Sequence, residues 1–405
     1  MNYFKLAWRN IWRNKKRTMI TVSSVFFALF LALLMRGLQL GTYDQMIKNS
    51  VEYYTGYIQI HEKGYFDDPV LDNSFLPSDS LYNLVVSHSN VKSLLPRIES
   101  FALASSGEIT KGGIVMGIDA KNDNKLTQLE DKLVAGNLPL KGEKGIVLAQ
   151  KLAEYLKVEL GDTVVLLGQG YHGISAAGKY NVVGILFFPV PNLNNSLMYL
   201  DVETASELYS TEGRLTSWVV LLNDNDKYVE TTSELGEIVP ENIEVLNWET
   251  YSADVKQGID ADDASGQIIL MILYVIIGFG IFGTVLMMIA ERKKEFAIMV
   301  AVGMQKSKLA LVVIIETLFI ITIGLISSIG ASIPVIYKLH LNPLRFGGEL
   351  EAMFETYGME PIMPMAWESS YFVNQTIVVI VLALVAIAYP LFNIFKFNVI
   401  KALRK

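Results

Sequence analysis

The stretch ERKKEFAIMVAVG, residues 291–303, begins with five consecutive charged residues and stands between two long apolar segments. Five neighbouring charges are costly to bury, because a buried unpaired charge loses its hydration without compensation. An amphipathic turn follows them, at the place where two membrane spans have to be joined. We interpret the stretch as a docking loop on which a second protein exerts force.

Composition indicates a protein that lies partly in lipid and partly in water. Of the 405 residues, 51% are hydrophobic and 19% are charged, and the mean hydropathy is +0.35. Such a chain is too apolar for an ordinary soluble protein and too charged to lie wholly within a membrane. It has no cysteine, which excludes disulfides and thiolate metal sites. The net charge of −7 argues against a nucleic-acid partner.

Four apolar segments are each long enough to cross a bilayer as a helix, which takes about 20 residues. They are residues 18–35, 266–290, 309–337 and 373–395. Basic residues flank the first span, the connection between the second and third, and the end of the fourth: Lys5, Arg9, Arg13, Lys15, Lys16, Arg17, Arg292, Lys293, Lys294, Lys306, Lys308, Lys396, Lys401, Arg404 and Lys405. The connection between the third and fourth is acidic, with Glu349, Glu351, Glu355, Glu360 and Glu368. The positive-inside rule therefore predicts two cytoplasmic termini.

Residues 1–17, which precede the first transmembrane region at 18–40, predict an amphipathic helix. Apolar and basic side chains form two stripes at helical spacing: Phe4, Trp8, Ile11 and Trp12 in one, and Lys5, Arg9, Arg13 and Arg17 in the other. We expect this elbow helix to lie on the inner leaflet of the bilayer. A secretory signal peptide is the alternative, but no small-residue cleavage site follows the apolar run.

The predicted orientation places residues 41–265 outside the cytoplasm as one large insertion. Strand patterns occur at 56–60, 113–118, 163–167, 180–186, 218–222 and 243–246, and helix patterns at 80–87, 149–156, 202–209 and 228–238. The middle part, about 105–200, is richest in glycine and strand pattern, which indicates two lobes. Asp201 and Asp226 are the expected N-caps of the last two helices.

The predicted fold class follows from these assignments. We expect a membrane protein with four transmembrane α-helices and a large α+β domain inserted between helices 1 and 2. Residues 266–405 then hold the remaining three transmembrane helices, with the cytoplasmic coupling loop at 291–308.

The sequence contains no recognised motif for enzymatic or metal chemistry. The sequence has no GxxxxGK[ST] phosphate-binding loop, so the chain is not expected to hydrolyse ATP itself. Its four histidines, His61, His88, His172 and His340, lack metal-ligand spacing, and there is no GxSxG sequence. We predict no catalytic residue, no metal site and no cofactor on this chain.

Glu316 lies inside the third apolar segment, where an ionised carboxylate costs about 2.5 to 3.5 kcal/mol. One interpretation is that it faces a polar cavity or pairs with a cation on a neighbouring helix. The other is that it reaches the cytoplasmic interface, because it lies about two helical turns from Lys308. The sequence leaves both open.

Several segments together resemble one family along nearly the whole chain. They are LAWRNIWRNKKRTMITV (6–22), KLAEYLKVELGDTVVLL (151–167), NVVGIL (181–186), ERKKEFAIMVAVGMQKSKL (291–309) and YPLFNIFKFNVIKALR (389–404). The family is that of type VII ABC transporter permeases, the group of MacB, FtsX, LolC and LolE. The residues that match the cytoplasmic loop of this family, and are expected to couple to an ATPase, are Glu291, Arg292, Glu295, Ala301 and Gly303.

The resemblance implies mechanical work across a membrane. Such permeases pair with a second copy or a paralogue and sit on two ABC ATPase subunits that bind ATP and Mg. For this chain we expect those subunits to be separate chains. Closure of the ATPases is expected to push on the loop and to move the second and third spans and the extracytoplasmic domain. The implied location is the bacterial inner membrane, with the large domain in the periplasm.

The stretch YYTGYIQIHEKGYFDDP (53–69) resembles the start of the periplasmic domain in LolE-type chains. The expected function is therefore extraction of lipoproteins from the inner membrane and their transfer to a periplasmic carrier. Two alternatives remain: a MacB-like exporter of peptides, toxins or drugs with an adaptor and an outer-membrane duct, and an FtsX-like regulator of cell-wall hydrolases.

Lipoprotein release would need two further sites. A cavity for acyl chains is expected between the two copies of the permease. It would be lined by the first and second spans, with candidate residues Phe26, Phe27, Phe30, Met35, Met271, Tyr274 and Ile277. A carrier contact is expected in the loop FFPVPNLNNS (187–196), with candidates Phe187, Phe188, Pro189 and Pro191. A rigid structural hairpin explains the two prolines equally well.

Overall fold

The computed structural model describes residues 3–13, 15–356 and 360–395. The chain divides into two compact units. The first contains Met1–Asp44, Ile259–Arg345 and Ile362–Lys405, and the second contains Gln45–Gly258 and Phe346–Pro361. The predicted basic residues after the fourth span, Lys396, Lys401, Arg404 and Lys405, lie outside the described residues.

Helices and strands are numbered in chain order. The α-helices are α1 Tyr3–Arg13, α2 Lys15–Ile47, α3 Asp79–Val86, α4 Ala120–Thr127, α5 Gln150–Leu156, α6 Pro191–Ser196, α7 Val202–Tyr209, α8 Tyr228–Ile238, α9 Trp248–Tyr251, α10 Ala253–Glu291, α11 Lys293–Ala301, α12 Lys306–Leu341, α13 Glu349–Thr356 and α14 Ser369–Phe395. The strands are β1 Ile58–Glu62, β2 Val91–Ser106, β3 Ile109–Ile118, β4 Leu133–Gly136, β5 Gly145–Ala149, β6 Thr163–Gln169, β7 Ser175–Leu186, β8 Leu197–Asp201, β9 Ser217–Leu222, β10 Ile243–Asn247, β11 Leu344–Arg345 and β12 Ile362–Met363. A π-helix, Lys48–Thr55, continues α2.

Within the described residues, four helices are long and apolar enough to cross a membrane, which confirms the predicted fold class. They are α2, α10, α12 and α14, and each extends beyond the apolar segment from which it was predicted. The boundary of the elbow helix differs from the prediction, since α1 ends at Arg13 and α2 already begins at Lys15. The Thr18 hydroxyl donates to the Ile11 carbonyl at 2.8 Å, which ties the start of α2 back onto α1.

The first unit contains these apolar helices, and we call it the membrane unit. It is packed around one apolar cluster to which α2, α10, α11, α12 and α14 contribute. A Cβ built on Gly324 would lie 2.8 Å from the side chain of Val25, so only glycine allows α12 and α2 to approach this closely. Arg36 of α2 contacts Asp263 of α10 at 2.5 Å. These contacts connect α2 to both of the helices that flank α11 in sequence.

The second unit is built on a ten-stranded sheet with the order β10-β1-β9-β2-β3-β8-β5-β7-β4. Strand β6 pairs with both β2 and β7, so β2, β3, β8, β5, β7 and β6 form a closed ring. The 16-residue strand β2 belongs to both parts, because Val91 to Arg97 pair with β9 and Arg97 to Ser106 pair with β3. The unit is therefore a small barrel continuous with an open sheet.

The segment 187–196 is a crossover and not a hairpin. It connects β7 with β8, and these strands do not pair with each other because β5 lies between them in the sheet. Pro191 opens the short helix α6, where its fixed φ and missing N–H are tolerated. The prediction of a proline-stiffened hairpin at this place was wrong.

Candidate coupling site

The predicted docking loop folds as the short helix α11. Arg292 adopts φ −92° and ψ 9°, which separates α10 from α11, and the Phe296 N–H resumes the helical pattern by donating to the Arg292 carbonyl at 2.9 Å. Phe296 and Ala297 are buried, whereas Ile298 and Val302 are 56% and 84% exposed. One side of α11 therefore packs on the membrane unit, and the other presents apolar side chains.

The C-terminus of α11 explains why glycine occupies position 303. The Met304 N–H donates to the Met299 carbonyl and the Gly303 N–H to the Val300 carbonyl, both at 3.0 Å, which is the bonding pattern of a Schellman cap. Gly303 has φ +104°, a backbone conformation that side chains with a Cβ rarely adopt. Gly303 thus defines where α11 ends before α12 begins at Lys306.

Arg292 and Glu316 form a buried ion pair between the α11 junction and α12. Arg292 Nη1 lies 2.6 Å from Glu316 Oε2, and the two residues are 7% and 1% exposed. The guanidinium also lies 5.1 Å from the centre of the Phe296 ring, in a cation–π contact. Of the two interpretations of Glu316, the structure shows the pairing with a cation.

Glu295 extends this pair into a chain of ion pairs that reaches α1. Its Oε2 lies 3.1 Å from Arg292 Nε, and its Oε1 accepts a hydrogen bond from Arg13. Burial opposes ionisation of Glu295, but the hydrogen bonds from Arg13 and Arg292 outweigh it and lower the pKa of the carboxyl. The order Arg13, Glu295, Arg292, Glu316 therefore connects α1, α11 and α12; we call these four residues the ion-pair chain.

Helix α1 is fixed to α12 by apolar contacts as well. Ala7 and Ile11 are buried, and the rings of Phe4 and Trp8 contact Phe319 edge-on at 6.3 and 5.6 Å between centroids. Phe4, Trp8 and Trp12 remain 64%, 45% and 54% exposed. The helix thus has one face on the protein and an aromatic face that a lipid interface can accept.

The five coupling residues predicted from the sequence occupy different environments. Arg292 is buried and Glu295 is exposed, and both belong to the ion-pair chain. Glu291, Ala301 and Gly303 are exposed at the two ends of α11. Arg13 and Glu316 were not predicted to belong to this site, although the charge of Glu316 within an apolar run indicates that it needs a partner.

The residues proposed to line the acyl-chain cavity differ in their burial and in their contacts. Phe26 stacks on Phe30 at 5.4 Å between ring centroids, while Phe27 is 56% exposed. Met271 is 65% exposed, and Met35 is partly buried. Tyr274 and Ile277 pack on the apolar cluster, and the Tyr274 hydroxyl donates to the Gln375 side chain of α14. Their role in holding acyl chains stays a prediction.

One of the four residues proposed to contact a carrier, Phe188, is buried in the structure. Phe188 is 1% exposed and stacks on Tyr199 at 6.2 Å between centroids, so it belongs to the core of the second unit. Phe187 is 47% exposed, and Pro189 and Pro191 are partly buried. A role for Phe188 in binding a carrier would require the core to open, whereas the other three residues stay candidates.

In the second unit, a buried polar cluster holds the end of the π-helix that continues α2. Arg97 of β2 donates to Asp123 through Nε at 3.0 Å and Nη2 at 2.8 Å, and through Nη1 to the Tyr54 carbonyl. The Tyr54 hydroxyl donates to Glu99 at 2.8 Å, and burial raises the pKa of Glu99. Strand β2, which both parts of the sheet share, therefore fixes Tyr54 near the end of the π-helix.

The apolar helices and the separate α/β unit define a multi-pass membrane protein. The family model described as MacB-like periplasmic core domain matches residues 18–238, more than half of the chain, and the one described as FtsX-like permease C-terminal matches residues 267–399. The chain belongs to the type VII ABC transporter permeases.

Curated relatives include two kinds of transporter. The lipoprotein-releasing system transmembrane protein LolC of Neisseria meningitidis is 23% identical over 260 residues, which are 62% of each chain. The macrolide export ATP-binding/permease protein MacB of Campylobacter jejuni is 22% identical over 83% of this chain and 54% of its own. The periplasmic region of MacB from Actinobacillus actinomycetemcomitans matches 52% of this chain at 18% identity, with a TM-score of 0.36. This chain thus spans about three fifths of the LolC relative.

Proposed function

We propose that this chain is the permease subunit of an ABC transporter that extracts lipoproteins from the bacterial inner membrane and passes them to a periplasmic carrier. ATP hydrolysis by separate ATPase subunits supplies the work, and both termini of the permease face those subunits in the cytoplasm. The cargo is inferred from LolC, which is named for a lipoprotein-releasing system.

The observation that carries the proposal is the ion-pair chain. A loop that merely joins two spans needs no fixed geometry, but one ion pair joins α11 to α1 and another joins the start of α11 to α12. The local pair of Arg292 with Glu295 connects these two. Its apolar residues Ile298 and Val302 remain exposed on the opposite side. A rigid helix with an exposed apolar face suits a separate protein that has to push on it.

Movement of α11 would spread through the membrane unit along the contacts described above. The ion pair between Arg292 and Glu316 makes α12 move with α11, and the close approach at Gly324 makes α2 respond to α12. Arg36 and Asp263 then connect α2 to α10. Because packed interfaces switch between discrete arrangements, a small shift at α11 can be transmitted without being dissipated.

The test is a release assay in proteoliposomes. The chain is reconstituted with its ATPase subunit and a triacylated lipoprotein, and the ATP-dependent appearance of the lipoprotein on a soluble carrier is measured. The control cargo is the same protein without acyl chains. We expect release of the acylated form alone, and loss of release when Glu295 is replaced by Gln. Coupled ATP hydrolysis without release of the acylated cargo would contradict the proposed substrate.

The second candidate is a MacB-like exporter, which is favoured by the match of the Campylobacter MacB to 83% of this chain. This function would require an adaptor protein and an outer-membrane duct. Stimulation of ATP hydrolysis by an adaptor, in the absence of any effect of acylated cargo, would support the exporter.

A further inference from the structure

Glu316 is a buried carboxylate within α12, a helix long and apolar enough to span a membrane. It is less exposed than its ion-pair partner Arg292. It is 1% exposed, and its Oε2 is 2.6 Å from Arg292 Nη1. A carboxylate with this exposure can contact neither ATP on a separate subunit nor a cargo molecule. Its effect has to pass through the guanidinium that it holds.

Arg292 is the residue through which Glu316 can act on α11. Its backbone forms the break between α10 and α11, and its carbonyl accepts the first hydrogen bond of the new helix from Phe296. The guanidinium is held between two carboxylates, that of Glu316, which is buried, and that of Glu295, which is exposed. The carboxylate of Glu316 therefore fixes one end of a side chain whose backbone sets the direction of α11.

We infer that Glu316 is a positioning residue, which sets the orientation of α11 through Arg292 and thereby couples ATP hydrolysis to movement of the spans. The inference rests on the proposed function for the coupling step, but not for the identity of the cargo. Without the negative charge of Glu316, the ionised partner left to Arg292 is Glu295, which is exposed and is shared with Arg13. The guanidinium would then follow Glu295 towards water, and α11 would lose its fixed direction.

The first experiment measures this orientation without ATPase or cargo. Because the chain has no cysteine, spin labels can be attached at Ile298→Cys on α11 and Ile326→Cys on α12, both exposed positions. We expect a narrow distance distribution in the otherwise native chain in lipid nanodiscs. Glu316→Gln and Arg292→Gln should each broaden it at least twofold, and the double variant should broaden it no further. An unchanged distribution in Glu316→Gln would overturn the inference.

The second experiment measures the number of lipoproteins released per ATP hydrolysed by the reconstituted complex. We expect Glu316→Gln and Arg292→Gln each to lower this ratio at least tenfold and the double variant to be no worse than the lower single variant, because the two residues act as a pair. Glu316→Asp retains the charge and should retain part of the coupling. The matched control is Glu349→Gln, a substitution at an exposed carboxylate, which should leave the ratio unchanged.

The two experiments separate the possible failures. If the native complex releases no lipoprotein, the proposed cargo fails, and the spin-label distances still test Glu316. If the losses of release per ATP in the two single variants multiply in the double variant, Glu316 and Arg292 have independent roles. That result would contradict the positioning role. A loss of coupling with an unchanged distance distribution would also contradict it, since the residue would then act other than by orienting α11.

Discussion

Replacement of Asp123 by Asn should destabilise the second unit strongly, because it breaks the buried ion pair that holds the end of the π-helix. Arg97 and Asp123 are 3% and 1% exposed, and two hydrogen bonds of 3.0 and 2.8 Å join them. Asn can accept only one of these bonds and carries no charge. The Arg97 guanidinium would then remain buried without a counter-charge.

The expected loss of stability in Asp123→Asn follows from the burial of this ion pair. Removing one partner of a buried pair costs about 3 to 5 kcal/mol, since the remaining charge keeps its desolvation penalty. Native domains are stable by only about 5 to 15 kcal/mol, so the unit would lose a large part of its stability. The double variant Arg97→Met/Asp123→Leu removes both charges, and we expect it to lose less than Asp123→Asn.

The assay is proteolysis of the full-length chain in nanodiscs after incubation in increasing urea, read out by cleavage within the second unit. Lys151→Gln is the control, because Lys151 and Glu154 form a 3.6 Å pair with both side chains 53% exposed, for which we expect a loss below about 1 kcal/mol. The reasoning fails if Asp123→Asn costs no more than this control, or if the double variant is less stable than Asp123→Asn.

Two further predictions concern backbone conformation and pH. Gly303→Ala should cost about 1 to 3 kcal/mol locally because of the positive φ, and so speed hydrogen exchange of the Met304 amide at least fivefold; unchanged exchange would contradict a required glycine. Burial lowers the pKa of His61 to about 4, so the unfolded chain binds a proton on acidification before the folded one does. Stability should fall by up to about 3 kcal/mol as the pH drops from about 6.5 to 4, and an equal fall in His61→Gln would refute this assignment to His61.

The spans and most regular elements were predictable because their patterns are local. Long apolar runs predicted α2, α10, α12 and α14, and alternation in β7 predicted a strand. By contrast β5 and β8 are buried at every residue, and such short apolar runs do not distinguish a strand from a buried helix.

Capping was predictable in part. Asp201 caps α7 by accepting a hydrogen bond from the Glu203 N–H. The prediction for Asp226 was wrong, because Asp224 caps a 3₁₀ turn, Asn225–Lys227, that comes before α8. A short-range pattern identifies an acidic residue near a helix start, but it does not show that a second helical turn intervenes.

The role of residues 291–303 in coupling stays a prediction, and the contacts within this candidate site were not predictable from the sequence. The charge cluster and the family resemblance pointed to residues 291–303, and Gly303 has a local structural role. The partners are remote, however, since Arg13 and Glu295 are 282 residues apart and Arg292 and Glu316 are 24 apart. No periodicity within one segment specifies which charge on another helix will face it, because that depends on how α1 and α12 pack.

The most direct test of this account asks whether the exposed side of α11 is where the separate ATPase subunit binds. A photo-crosslinking amino acid is introduced at Ile298 or Val302 on this side, and at Ile326 on α12 as an equally exposed control within a predicted span. After illumination of the assembled complex, we predict crosslinks to the ATPase from the two α11 positions and none from Ile326. Crosslinks that are absent from α11, or equally strong from Ile326, would contradict the assignment of α11 as the coupling helix.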